Sequence, residues 1–179
     1  MLTRHHAIIH LASATLLALT GCATAPMSQD AAQLQALSLL MPKRIEIVEP
    51  FTSVKSFDGD ATPDGIELLL QAVNSLDHPG QMMVGDMRFE LYEYVPASGD
   101  RRGRRLEYWD LALSTEESQR DHWNQVTQMY EFRLRVDPAV LPIEDRYVLA
   151  VTYNSPLGDR LSTDCLIEYR KPSGPMGRR

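Results

Sequence analysis

The sequence predicts a mainly β protein, an antiparallel β-sandwich of about seven strands with one short helix. Three observations predict it. Apolar and polar residues alternate from residue 44 onward, most clearly where Tyr130, Phe132, Leu134 and Val136 alternate with polar neighbours. Prolines fall between the alternating segments, where their missing N–H removes no ladder hydrogen bond. Those segments also recur at turn-punctuated spacing, which is typical of sandwiches.

Seven segments are the predicted strands, and each is bounded by turn-forming residues. They span residues 44–49, 65–74, 87–95, 104–113, 126–136, 146–154 and 161–170. The sixth is apolar on both faces, so we expect it to be covered on both sides. One segment breaks the pattern, because Ser114 and Glu117 have the spacing of a capping box. This spacing predicts a short polar helix through about Trp123.

Composition excludes several classes of protein. The 179 residues carry 18 Lys plus Arg against 24 Asp plus Glu, a net charge of −6 that disfavours nucleic acid as a partner. The 11 Pro and 10 Gly follow no repeat, which excludes collagen-like chains, and 44% hydrophobic residues exclude a wholly disordered chain. Two Cys cannot form a disulfide scaffold, although they permit one bridge in an oxidising compartment.

The first 22 residues have the order of an export signal. Arg4 precedes residues 7–19, a run of 13 residues without Asp, Glu, Lys or Arg. A helix needs about 20 apolar residues to cross a bilayer, so this run has the length of a signal-peptide core instead. Leu19, Thr20, Gly21 and Cys22 follow it.

Leu19-Thr20-Gly21-Cys22 resembles the lipobox of bacterial lipoproteins, in which an aliphatic residue and two small residues precede the Cys that receives a diacylglycerol. The resemblance covers only these first 22 residues. It implies that signal peptidase recognises Leu19, Thr20 and Gly21, that residues 1–21 are removed, and that Cys22 carries diacylglycerol and palmitate. The alternatives are an ordinary secretory signal with a chance Cys and a buried amino-terminal helix.

The lipobox resemblance also implies a location. Each buried methylene adds about 0.8 kcal/mol, so the two or three chains of a lipoprotein make release from the membrane negligible. In lipoproteins an Asp after the lipidated Cys favours the inner membrane, whereas this chain has Ala23. The resemblance therefore points to the outer membrane of the cell envelope, facing the periplasm or the surface, with the membrane as first partner.

The sequence predicts four parts, the first of which is removed by cleavage before Cys22. They are a signal peptide over 1–21, the lipidated Cys and its tether over 22–43, a β-sandwich over 44–171 and a carboxyl-terminal tail over 172–179. Cleavage removes Arg4 and no acid, which leaves 158 residues with a net charge of −7. In the tether, Asp30 caps a predicted helix with Leu34 and Leu37 at helical spacing. The helix is expected to rest on the domain, or alternatively on the membrane, although it lacks a Lys and Arg face.

One run near the sixth strand carries a second resemblance. Residues 141–149, which include Tyr147, are similar to the entry into a late strand of immunoglobulin-like, fibronectin-like and transthyretin-like sandwiches. In those sandwiches a Tyr anchors the corner. The chain as a whole therefore resembles the small envelope lipoproteins of unknown function that carry one such domain.

An acidic segment is the candidate calcium site. Asp58, Asp60, Asp64 and Glu67 place four carboxylates in ten residues, and Ca²⁺ takes six to eight oxygens. The segment resembles the calcium repeats of thrombospondin type 3, although it is single rather than tandem and has Ala61 where another small or acidic residue is usual. The alternative is a solvated turn, because Asp, Gly and Pro form turns without metal.

A basic cluster is the candidate anion site. Arg101, Arg102, Arg104 and Arg105 flank Gly103 after a turn-forming run, on an otherwise acidic chain. The functional hypothesis is contact with phosphates of lipid or of another anionic envelope polymer. The alternative is a charged loop that keeps a sheet edge from pairing.

No catalytic residue is predicted. Of the five His, only His78 and His122 remain after cleavage, and neither lies in a recognisable motif. Cys165 shares its strand phase with Leu161 and Ile167, which predicts a buried, inert thiol. We therefore expect a non-enzymatic interaction or structural module with an envelope protein or polymer as partner. A calcium-stabilised module and an enzyme are the alternatives.

Overall fold

A computed structural model of the chain describes residues 29–60, 62–97, 99–137, 139–141 and 145–169. Two α-helices and nine strands lie within them: α1 Gln29–Leu40, β1 Arg44–Ile47, β2 Ser53–Lys55, β3 Gly65–Val73, β4 Asp86–Tyr94, β5 Arg102–Ala112, α2 Glu116–His122, β6 Trp123–Asn124, β7 Met129–Arg135, β8 Arg146–Asn154 and β9 Arg160–Glu168. A 3-10 turn, Glu49–Phe51, separates β1 from β2.

The strands form two antiparallel sheets. Sheet A has the order β1-β3-β7-β6, with β2 also paired to β3, and sheet B has the order β5-β4-β8-β9. The sheets approach along both sides: β1 and β2 lie close to β9, and the Trp109 indole N–H on β5 donates to the Arg135 carbonyl on β7 over 2.9 Å. The predicted antiparallel β-sandwich is therefore confirmed.

Alternating residues of the two sheets make one core. Leu68 and Phe132 of sheet A and Phe89 and Leu91 of sheet B are at most 1% exposed. The Phe89 and Phe132 rings meet across the core, 4.7 Å between centroids. In β8 five consecutive residues are buried, as expected for a strand covered on both sides. Burial of these side chains is the main force that holds the sheets together.

Two core tyrosines bind the segment that connects the sheets. The Tyr130 hydroxyl accepts from the Met83 N–H over 2.8 Å and donates to Gln119 Oε1 over 2.6 Å. The Tyr153 hydroxyl donates to the Val84 carbonyl over 2.7 Å. Burial raises the pKa of both phenols, so they stay protonated and can donate. The connection between β3 and β4 is thereby fixed across one end of the sandwich.

A third tyrosine holds the corner before β8. The Tyr147 hydroxyl donates to the Leu141 carbonyl, and both residues are fully buried. The ring packs in the core while its polar tip satisfies a backbone acceptor that water cannot reach. This is the corner contact that the run over residues 141–149 led us to expect.

The structure differs from the sequence prediction in its shortest elements and boundaries. β2 and β6 were not predicted, because three and two residues are too few to show a period of two. β7 begins at Met129 rather than at residue 126, since the residues before it form a tight turn with Gln128 at a φ of 55°. Val126 lies in that turn with 93% of its surface exposed.

The helix caps also differ. The N-cap of α2 is Thr115, whose hydroxyl accepts from the Ser118 N–H over 3.1 Å while Ser118 Oγ accepts from the Thr115 N–H over 3.2 Å. The assignment of the box to Ser114 and Glu117 is therefore wrong by one residue, because a Ser hydroxyl replaces the carboxylate. In α1, Asp30 lies in the first turn, within a helix that begins at Gln29.

We predict that Tyr147→Phe lowers the free energy of unfolding by about 1–3 kcal/mol, because it keeps the ring and leaves a buried carbonyl without this donor. Denaturant unfolding followed by tryptophan fluorescence measures the change. Tyr108→Phe is the matched control, since the Tyr108 side chain is half exposed and surface changes stay within about 0.5 kcal/mol. Equal effects of the two substitutions would contradict the role of the corner contact.

Candidate functional site

The four arginines of the basic cluster lie on one hairpin but not on one face. Arg101 is in the β4–β5 turn with a φ of 59°, and its carbonyl accepts from the Val95 N–H over 2.9 Å. Arg102, Arg104 and Arg105 lie on β5. The pairing of β4 with β5 has two irregularities in this stretch, where Leu91, Tyr92 and Tyr94 oppose Glu107, Arg105 and Arg102.

Each irregularity inserts one extra residue into β5. The side chains on the two sides of the extra residue no longer alternate regularly between the faces of the sheet. As a result Arg105 lies opposite Tyr92 on the outer face of sheet B, whereas Arg104 is paired with Glu93 of β4. Gly103, the residue before Arg104, lies close to β4: a Cβ there would meet Val95 Cγ2 at 2.6 Å. The predicted cluster is therefore divided by two β-bulges.

Each arginine on β5 has a carboxylate partner. The Arg104–Glu93 distance is 2.6 Å and the Arg105–Glu90 distance is 2.9 Å. Arg102 lies 3.4 Å from Asp164 of β9. Exposed pairs of this kind contribute little to stability individually. An anionic ligand at this hairpin would compete with these carboxylates for the guanidinium groups.

Tyrosine rings and arginines alternate on the outer face of sheet B. The guanidinium groups of Arg88 and Arg105 lie 5.7 and 5.0 Å from the centre of the Tyr108 ring, and that of Arg102 lies 5.6 Å from the centre of the Tyr92 ring. These distances are within cation–π range. We call these five residues the arginine–tyrosine face.

Arg88 is fixed at this face by Asp110 of β5. Its Nε and a terminal nitrogen donate to the two carboxylate oxygens over 2.7 and 2.8 Å, which is a bidentate pair. The hydrogen bonds from Arg88 lower the pKa of Asp110 and so keep the carboxylate ionised. Arg88, Tyr92 and Tyr108 were not predicted as site residues. The alternation of β4 places Arg88 and Tyr92 on the solvent side, but strand pairing is needed to bring Tyr108 beside them.

A groove of 610 Å³ opens at one end of this face. Its polar lining comes from Asp86, Arg88, Asp110, Thr152, Asn154 and Arg160, on strands β4, β5, β8 and β9. The lining therefore includes acidic, basic and uncharged polar side chains. Such a groove suits a small polar or zwitterionic group or a polar side chain of another protein.

The acidic segment forms a turn in which its own carboxylates accept hydrogen bonds. Asp58 Oδ1 accepts from Ser56 Oγ over 2.9 Å and from the Asp60 N–H over 3.1 Å. The backbone hydrogen bond from Asp60, followed by that from Ser56, lowers the pKa of Asp58. Asp60 Oδ1 accepts from the Thr62 N–H over 2.6 Å. These contacts are typical of Asx turns.

The other two predicted calcium ligands have partners outside that turn. Asp64 Oδ1 accepts from the Phe57 N–H over 2.6 Å, and its second oxygen lies 3.6 Å from Arg135. Glu67 is paired with Lys55 over 2.9 Å. Among the residues that the structure describes, no three His, Cys, Asp or Glu side chains are grouped so that they could hold a metal ion. The calcium site stays a prediction.

The two histidines of the predicted domain occupy different surroundings. His78 is exposed in the turn after β3, where its backbone N–H donates to Asn74 Oδ1 over 3.1 Å. His122 is half-buried, with Nδ1 3.1 Å from the Glu131 carbonyl and its ring 4.9 Å from that of Phe132. His122 thus contacts β7 just beyond the two residues of that strand that pair with β6. The prediction that the chain has no catalytic residue stays a prediction.

Cys165 is buried, as its strand phase indicated. Only 5% of its surface is exposed, and burial, with Glu49 and Asp164 nearby, raises the pKa of its thiol to about 12. The thiolate is the reactive form, so this thiol is inert near neutral pH.

Several predicted features lie outside the described residues. They are the signal peptide over 1–21 with Leu19, Thr20 and Gly21, the lipidation site Cys22, and the tail over 172–179. Of the helices that the structure describes, none has the length and apolar character needed to cross a membrane.

Comparison with known proteins gave no assignment: no family model matches the chain, and no significant match was found among curated proteins or solved structures.

The calcium hypothesis predicts a higher melting temperature. At a hundredfold excess over its dissociation constant, a ligand adds about 2.7 kcal/mol, which corresponds to roughly 5–10 °C for a chain of this size. Thermal unfolding with calcium, with magnesium and with a chelator measures the shift. We expect it to disappear in Asp60→Asn with Asp64→Asn and to persist in the control Asp121→Asn on α2. An unchanged melting temperature in calcium would contradict the hypothesis.

Proposed function

We propose that the chain is a lipid-anchored protein of the bacterial envelope, whose β-sandwich is a non-enzymatic interaction or structural module. The observation that carries the anchor is the sequence Leu19-Thr20-Gly21-Cys22 behind an uncharged run of 13 residues and Arg4. Ala23 after the Cys supports the outer membrane as the location. The lipid holds the protein at the membrane, and the sandwich presents its surface there.

The arginine–tyrosine face supports the interaction role. Tyr and Arg are enriched in the buried centres of protein interfaces, where flat rings and forked donors give large contact area with little loss of entropy. Here Tyr108 is 50% exposed between two guanidinium groups. Ion pairs to Asp110 and Glu90 hold these guanidinium groups in place before any partner binds. A preordered surface of this kind loses less conformational freedom on binding.

The groove beside this face favours a protein partner over a uniform anionic polymer. Its lining mixes Asp86 and Asp110 with Arg88 and Arg160. A phosphate-rich polymer would meet repulsion from the two carboxylates, whereas a partner with both charges can complement them. Contact with an anionic polymer through the β4–β5 hairpin remains the alternative proposal.

We predict that the chain incorporates palmitate in bacterial cells and that Cys22→Ser abolishes the labelling. The lipid is transferred to the thiol of Cys22, and only this thiol can form the thioether that holds it. Metabolic labelling followed by gel fluorography measures it. Cys165→Ser is the matched control, because it removes the other cysteine thiol, which is buried in the sandwich. Labelling that survives Cys22→Ser would refute the anchor.

We predict that a photocrosslinking benzoylphenylalanine at Tyr108 captures a discrete partner protein in intact cells. The control site is Arg133 of β7, which is exposed on the outer face of sheet A. We expect a defined adduct from Tyr108 that disappears when Arg105→Ala is added, and none from Arg133. The same adducts from both positions, or none from Tyr108, would contradict an interaction role for the arginine–tyrosine face.

A further inference from the structure

Large apolar side chains are exposed in one region of the molecule. Nine of the eleven that are exposed among the described residues lie on α1 or in the connections at one end of the sandwich: Leu34, Leu37, Leu39, Leu40, Leu76, Met82, Val84, Val126 and Leu157. The other two are Phe51, in the connection between β1 and β2, and Tyr108 on β5. Scattered exposed residues need no explanation, but a group of nine confined to one region does. We call these nine residues the apolar end.

The strand pairing places these connections at the same end of the sandwich. In sheet A, Arg44 at the start of β1 lies opposite Val73 at the end of β3, and Tyr130 near the start of β7 lies opposite Leu70. In sheet B, Asp86 at the start of β4 lies opposite both Ala112 and Asn154. The turns that carry Leu76, Val126 and Leu157 therefore all project from one end.

Side-chain contacts join the two sheets at this end. Lys43, just before β1, is paired with Asp159 in the β8–β9 turn over 2.8 Å. The Tyr153 hydroxyl donates to the carbonyl of Val84, which is one of two exposed residues in the connection between β3 and β4, the other being Met82. The carboxyl end of α1 at Leu40 lies only four residues before β1 and so belongs to the same end.

The composition of α1 suits a lipid surface better than water. Among its 12 residues, Asp30 is the only ionisable one. Its four leucines are 50–67% exposed, which leaves most of their apolar surface in solvent. A solvent-facing helix normally carries charged residues on its outer face, and α1 carries none beyond its first turn.

Chain length brings this end to the membrane. Gln29 lies seven positions after Cys22, and a fully extended chain over seven positions spans at most about 25 Å. A lipid on Cys22 therefore holds α1 beside the bilayer whatever path the chain takes. The tether gives α1 a high effective concentration at the lipid surface, as in an intramolecular reaction. Contact of α1 with a second copy instead requires two molecules to meet.

We propose that the apolar end lies against the bilayer surface, with the leucines of α1 seated in its interfacial region. The inference rests on the proposed lipid anchor. The β4–β5 turn with Arg101 then points away from the membrane, because it lies at the opposite end of sheet B. The arginine–tyrosine face stands along the side of the sandwich, where a partner in the aqueous space reaches it, and the groove at the Asp86 end of this face lies next to the bilayer.

The test uses the full lipidated chain in vesicles of phosphatidylethanolamine and phosphatidylglycerol that contain a nitroxide at a shallow position of the acyl chain. Leu37→Cys carries an environment-sensitive fluorophore, and Ala97→Cys in the far turn carries the same fluorophore as the matched control. Labelling is selective because the sulfur of a lipidated Cys22 is held in a thioether and the Cys165 thiol is buried. We expect quenching at position 37 at least about twofold stronger than at position 97.

A second variant separates insertion from proximity. Leu39→Gln with Leu40→Gln keeps the tether and removes apolar surface, so we expect the quenching at position 37 to fall while flotation of the protein with vesicles is unchanged. Equal, weak quenching at positions 37 and 97 on floating vesicles would overturn the inference and leave the anchor standing. Crosslinking between two copies through position 37 without quenching would assign the surface to a second copy. Failure of the unsubstituted chain to float would remove the anchor and the inference together.

Discussion

The sandwich depends on buried tyrosines, which combine an apolar ring with a polar hydroxyl group. Tyr130, Tyr147 and Tyr153 are fully buried, and each hydroxyl binds a backbone group in a connection. Packing of the rings joins the two sheets, while the hydroxyls satisfy backbone groups that burial would otherwise leave without water. The side chains that fill the core therefore also fix the connections at the ends of the sandwich. The exposed residues of these connections are held in defined positions as a result.

The arginine–tyrosine face follows from that rigidity and from two irregularities in strand pairing. Without the bulges in β5, the side chains from Arg102 to Leu106 would alternate regularly and Arg105 would not lie opposite Tyr92. With them, Arg105 and Arg88 hold Tyr108 between two cations, each paired with its own carboxylate. The face is polar, aromatic and electrically balanced, which suits recognition of a protein better than attraction of any anion.

The sequence allowed the fold to be predicted more fully than the site. Period-two alternation predicted seven of the strands, and Tyr147 predicted its corner contact, because both depend on local order along the chain. The pairing of Arg88 with Asp110 and of Arg102 with Asp164 joins residues 22 and 62 positions apart, and bulges leave no mark in a hydropathy pattern. The cluster of four arginines was visible in the sequence, but its division between faces was not. The helical spacing of the α1 leucines likewise predicted contact with the domain, with the membrane as the alternative, and did not indicate that they are 50–67% exposed.

In the account we propose, a lipid on Cys22 keeps the sandwich beside the membrane and turns its apolar end toward lipid. The most direct test is the intact mass of the chain extracted from bacterial membranes, with tandem fragmentation of its amino terminus. The account predicts a chain of 158 residues that begins at Cys22 and carries a diacylglycerol with its acyl chains. A chain that keeps all 179 residues, or one that begins elsewhere with Cys22 unmodified or absent, would contradict it.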